Sequence, residues 1–121
     1  MKIIKISTEL KMSEHEFPEG TTREQNKFLY TLIGNGCDIV EHVMPKRLYT
    51  ELKMPSTPTK RSGECVSMLI DEEGLLKPNK ANLVGCYLYE YHKHGHPIVG
   101  NILFVGEKVG NDGIEFCGIS E

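Results

Sequence analysis

The run Ile98–Gly106, IVGNILFVG, is the most apolar stretch of the chain, and it carries large side chains at both odd and even positions. Strand side chains alternate between the two faces of a sheet, so a run of this kind is expected to be a central strand buried on both sides. Gly100 and Gly106 within it leave room for another backbone or a ligand to come close.

Further elements follow from periodicity and breakers. Met1–Ile6 is Ile-rich and partly alternating and predicts a first strand, and the polar STELKMSEHEFPEG after it ends in a Pro–Glu–Gly turn. Thr22 and Gln25 stand three apart like a capping box, with Thr21 and Glu24 as an alternative register. The helix they open places Phe28, Leu29, Leu32 and Ile33 on one face and ends at Gly34 or Gly36. Cys37–Met44 predicts a second strand, PKRLYTEL a short helical turn opened by Pro45, and MPSTPTKRSG a loop. Cys65–Asp71 predicts a third strand, closed by a DEEG turn. The segment Asn79–Tyr91 places Leu83, Val84, Tyr87, Leu88 and Tyr91 at helical spacing behind an Asn79 cap, with Gly85 a weak point. Ile114–Ile119 predicts a last strand after a GNDG turn. The expected fold is therefore α+β: a single domain over residues 1–121, with one mainly antiparallel sheet of about five strands and two helices.

The apolar fraction of 39% and charged fraction of 26% are those of a soluble globular protein. No apolar run approaches the roughly 18 residues of a membrane span, and MKIIKISTELK lacks the apolar stretch of a secretory signal, so a cytoplasmic protein is expected. Cys37, Cys65, Cys86 and Cys117 form no CxxC pair and sit beside apolar residues, which predicts buried free thiols.

Charge is uneven along the chain. Between Met44 and Arg61, five cations (Lys46, Arg47, Lys53, Lys60, Arg61) face Glu51 alone, a local net of +4 in a chain whose net is −3. A patch of this size fits a small anionic ligand better than duplex nucleic acid, which needs cations along an extended face. On the first helix Arg23, Asn26, Lys27 and Tyr30 fall at i, i+3, i+4 and i+7, so two cations, an amide and an aromatic form one stripe away from the core face. Such a stripe can hold a phosphate and stack a base; it is also what an ordinary wet surface looks like.

The segment YHKHGHPIVGN spaces His92, His94 and His96 at alternate positions. In an extended strand the three imidazoles would share a face, as a zinc site requires. Gly95 and Pro97 instead make the segment a turn, and no carboxylate or cysteine follows at ligand spacing, so a loop without metal is expected. No GxSxG, HExxH, GxxxxGKS or GxGxxG segment is present, which points away from catalysis. Asp71 and Glu72 with the histidines could assemble a metal-dependent hydrolase, but acids in a DEEG turn are expected to be solvated.

Two blocks, REQNKFLYTLIGNGCDIVEHVMP and SMLIDEEGLLKPNKANLVGCYLYEYHKHGHPIVGNILFVG, together cover over half of the chain. A helix ending in IGN before a strand, then DEEGLLKPNKAN, then IVGNILFVG, resembles small domains of unassigned function common in phages and prophages. Within that pool the chain is similar to phage anti-defence sponge proteins, above all the first type of Thoeris anti-defence protein and related anti-CBASS proteins. The resemblance implies a homo-oligomer that sequesters cyclic nucleotide immune signals, such as glycocyclic ADP-ribose or cyclic oligonucleotides, in pockets at subunit interfaces without cutting them. No enzyme activity, cofactor or metal is then expected. The residues expected to line the pocket are Arg23, Asn26, Lys27, Tyr30, Arg47 and Arg61, with Tyr87, Tyr91 and His94 closing it. The alternative is an anti-restriction or anti-CRISPR type inhibitor that acts by protein–protein contact through its acidic remainder.

Overall fold

The computed structural model describes residues 2–43, 45, 47, 65–89, 96–110 and 113–119. In chain order these form β1 (Lys2–Ile6), β2 (Met12–Glu16), α1 (Thr22–Ile33), β3 (Val40–Val43) and β4 (Cys65–Asp71). A 3-10 turn (Gly74–Leu76), α2 (Leu83–Tyr89), β5 (Ile102–Gly110) and β6 (Gly113–Cys117) complete them. The strands build one antiparallel sheet in the order β2-β1-β5-β4-β3, with β6 also paired to β5. The fold is α+β, with two helices on a mainly antiparallel sheet. No helix among the described residues is long and apolar enough to cross a membrane.

The central position expected for the apolar run is the one β5 occupies. Its edge toward β4 is paired over Leu103–Glu107, while β1 and then β6 share the other edge. The strand starts at Ile102 rather than Ile98, because Gly100 adopts φ +80 and breaks the extended run. All seven residues of β4 and the first six of β5 are buried, so this pair is covered on both faces.

Each face has its own helix. Val66, Met68, Ile70, Ile102 and Phe104 meet α2 through Cys86, with Ile98 from the turn before β5. Leu69, Leu103, Val105 and Ile3 meet α1 through Leu29 and Ile33. The capping box of α1 forms in the alternative register: the Thr21 hydroxyl accepts from the Glu24 N–H at 3.2 Å, and the Glu24 carboxylate accepts from the Thr21 N–H at 3.4 Å. At the other end Gly34, at φ +75, donates its N–H to the Tyr30 carbonyl. Phe28, expected in the core, is exposed at the margin of the helix.

Other elements differ from expectation too, and the last strand runs Gly113–Cys117 rather than Ile114–Ile119. Met12–Glu16, read as part of a polar connection, is an edge strand paired to β1, with Glu14 bonded to Lys2 at 2.8 Å. Its residues lie at the rim of the sheet, largely solvent-facing, so it carries no apolar alternation. The second strand is shorter than predicted, Val40–Val43. The second helix begins at Leu83, behind Asn82 rather than Asn79, and turns Gly85 and Cys86 inward while Leu83 and Tyr87 are exposed.

Gly85 is what lets this short helix lie close to the sheet: a Cβ there would sit 2.7 Å from Ile98 Cγ2. Gly→Ala within a helix ordinarily gains about 1 kcal/mol. Here Ile98 is fully buried and β-branched and cannot swing away. Gly85→Ala is therefore expected to reverse the usual sign and lower unfolding free energy by about 1–3 kcal/mol in urea titrations.

Candidate functional site

The predicted ligand-binding residues fall into two groups separated by the sheet. Arg23 and Lys27 are exposed and Asn26 and Tyr30 half-buried, all on α1. On the α2 side the Arg47 guanidinium lies 4.2 Å over the ring centroid of Tyr87, a cation–π stack on a half-exposed tyrosine. Within one protomer the two groups do not line a common pocket, because α1 and α2 cover opposite faces. Arg61, Tyr91 and His94 lie outside the described residues, as do His92 and Lys46, Lys53 and Lys60. His96 is half-buried, with its ring 5.7 Å from that of Tyr89.

Asn26 borders a cleft of about 670 Å³ between the turn before α1, the first turn of that helix and β6. Phe17, Ile114 and Phe116 supply apolar walls, and Glu16, Glu19, Glu115 and Lys108 supply charge. The volume suits a small molecule, but three carboxylates against one ammonium make it unsuited to a phosphate.

A smaller cleft, about 250 Å³, lies where the blocks IGN, DEEG, KPNKAN and IVGN converge. Its amides are committed to the chain itself. Asn35 donates to Asn79 Oδ1 at 2.8 Å, Asn79 donates to the Gly74 carbonyl at 2.9 Å, and Asn101 donates to the Ile33 carbonyl at 2.9 Å. Asn82, fully buried, donates to the carbonyls of Ile6 and Gly100 and accepts from the Gly85 N–H, so it caps α2 and fastens it to two other segments. Asp71, expected to be solvated, is buried: it accepts from Lys77 at 2.6 Å and from the Glu73 N–H at 2.9 Å. That bond holds the Lys77 ammonium above its ordinary pKa. Asp71 is the last residue of β4 and inherits the burial of that strand, which is why it is not solvated as a turn residue would be.

One cluster has no counterpart in the sequence reading. Glu107 of β5 is only 5% exposed and accepts a hydrogen bond from the fully buried Ser67 hydroxyl of β4. His42 Nε2 of β3 lies 3.5 Å from the same carboxyl oxygen and meets Phe116 edge-on at 6.4 Å. Burial pushes the Glu107 carboxyl above its ordinary pKa, and His42 partly offsets this. Five residues of strand, Ile102 to Gly106, precede the interruption of apolar character at Glu107-Lys108, so the strand's continuation within the sheet was the available signal. Among the described residues no three His, Cys, Asp or Glu side chains gather in a way that could hold a metal ion. No family model, curated protein or solved structure matches the chain.

All four cysteines are free thiols, with Cys65, Cys86 and Cys117 buried and Cys37 half-buried. Burial and then the Asp71 carboxylate raise the Cys37 pKa, and burial and then Glu107 raise that of Cys65, so neither is a thiolate nucleophile near neutrality. Titration of the native protein with a disulfide reagent is expected to modify Cys37 first and slowly, with the other three reacting only on unfolding. Rapid native labelling of Cys65 would contradict this burial.

Proposed function

We propose that this protein binds a small anionic nucleotide and sequesters it without cleavage, in the manner of phage anti-defence sponges that remove cyclic nucleotide immune signals from the cytoplasm of an infected bacterium. The observation that carries the reading is the Arg47–Tyr87 stack on the α2 side. A guanidinium laid flat on a phenol ring joins, at one point, the fork that recognises phosphate and the aromatic face that recognises a base. The second half of the site is the α1 stripe of Arg23, Asn26, Lys27 and Tyr30. Since the two halves lie on opposite faces of the sheet, a pocket that uses both is made between two copies, each copy offering α1 to the Arg47–Tyr87 side of the next.

A second reading has its own support. The 670 Å³ cleft beside β6 presents Glu16, Glu19 and Glu115, which favours a partner that brings cations, as an inhibitor of a host enzyme would meet through protein–protein contact.

Thermal denaturation with a panel of cyclic dinucleotides, cyclic trinucleotides and cyclic ADP-ribose isomers separates the two. A sequestering protein is stabilised by about 2.7 kcal/mol at ligand concentrations a hundredfold above Kd, and heat releases the ligand intact. Arg47→Ala and Arg23→Ala are each expected to weaken binding by about 1.5–3 kcal/mol while leaving the fold in place. No stabilisation by any member of the panel, together with co-purification of a host enzyme, would favour the second reading.

A further inference from the structure

Glu107 and Asp71 are the buried carboxyl groups among the described residues, and they are partnered differently. Asp71 has an ammonium at 2.6 Å. Glu107 has a neutral hydroxyl, Ser67, and an imidazole, His42, that belongs to a four-residue edge strand. In the described part of the sheet β3 is joined to β4 alone, by pairs from Val40–Asp71 to Val43–Met68, and His42 projects from it onto the face that α1 covers.

We propose that His42 and Glu107 form a proton-operated latch that fastens β3 to the sheet, closed while the pair holds one proton and released when it holds none. With one proton the pair is neutral overall wherever the proton resides, as carboxylic acid beside imidazole or as carboxylate beside imidazolium. Burial tolerates either arrangement. Loss of that proton to solvent leaves a carboxylate beside a neutral ring, an uncompensated charge whose hydration requires the strand above it to lift. With two protons the pair carries one positive charge, and its half-exposed side meets water, so acidification leaves the latch closed.

Among the described residues the surroundings of Glu107 supply no other charge to take over this role. From β4 it meets Ser67 and Cys65, and burial with the nearby carboxyl keeps the Cys65 thiol protonated. From β6 it meets Phe116, its register partner, and α1 sends the uncharged Leu29 and Ile33 onto the same face. Lys108, the next residue of β5, points to the opposite face by strand alternation and pairs at 3.9 Å with Glu115. The latch does not depend on the nucleotide reading, although β3 leads through the buried Pro45 to Arg47.

Hydrogen exchange of the His42 and Val43 amides, measured by NMR from about pH 5 to about pH 9 and corrected for intrinsic rates, reads the opening of β3 directly. In the parent protein the opening constant is expected to be flat in acid, to climb by about tenfold per pH unit once the opened pair no longer holds a proton that the closed pair keeps, and to level off when the closed pair loses it too. Glu107→Gln keeps an acceptor for Ser67 and is expected to abolish the climb. His42→Gln, at a half-exposed position that the fold tolerates, is expected to retain it but from a lower pH, because the form with the proton on imidazole is gone. A parent profile that stays flat, or one that Glu107→Gln reproduces, overturns the proposal.

Discussion

One carboxamide sits where the connections of this fold meet. Asn82 is fully buried, and its three hydrogen bonds reach the end of β1, the turn before β5 and the first turn of α2. A buried amide of this kind has no water to fall back on, so its partners are obligatory. Losing it strands two carbonyls and an N–H inside the protein at once. The position of α2, and with it the Tyr87 ring under Arg47, is set from this point.

The rest of the architecture follows from covering a sheet whose central strands are apolar on both faces. Two helices on opposite faces do that, and they divide the surface into sides with different chemistry. The α1 side carries the stripe from Arg23 to Tyr30 and, beneath it, the His42–Glu107 pair. The α2 side carries the stacked Arg47 and Tyr87 and also an apolar recess lined by Ile4, Ile6, Val66 and Phe104. Under the proposed function, a ligand pocket drawing on both sides would belong to an assembly of copies.

How far the chain was legible varied with burial. β4 and β5 were read from composition alone, since strands covered on both faces have long apolar runs and few alternatives. α1 was read from its period and capping residues, with the cap placed one residue late, at Thr22, because Thr21–Glu24 and Thr22–Gln25 both satisfy the pattern. β2 was not legible: MSEHE lies at a solvated rim, so neither face imposes a pattern. The cap of α2 was misplaced because two asparagines, Asn79 and Asn82, stand three apart, and only tertiary partners decide which one faces the helix. Of the site, the cations and rings were visible as types, but their division between two faces is a property of topology. Glu107 was invisible because a glutamate reads as surface until its strand neighbours bury it.

Denaturant unfolding of Asn82→Leu, with amide exchange followed residue by residue, tests this account most directly, since leucine keeps the volume and removes every hydrogen bond. The expected result is a loss of roughly 3 kcal/mol with α2 and residues 98–101 opening first while β4 and β5 stay protected. A loss below about 0.5 kcal/mol, or opening spread evenly over the sheet, would mean that the buried amide is not what holds these segments together.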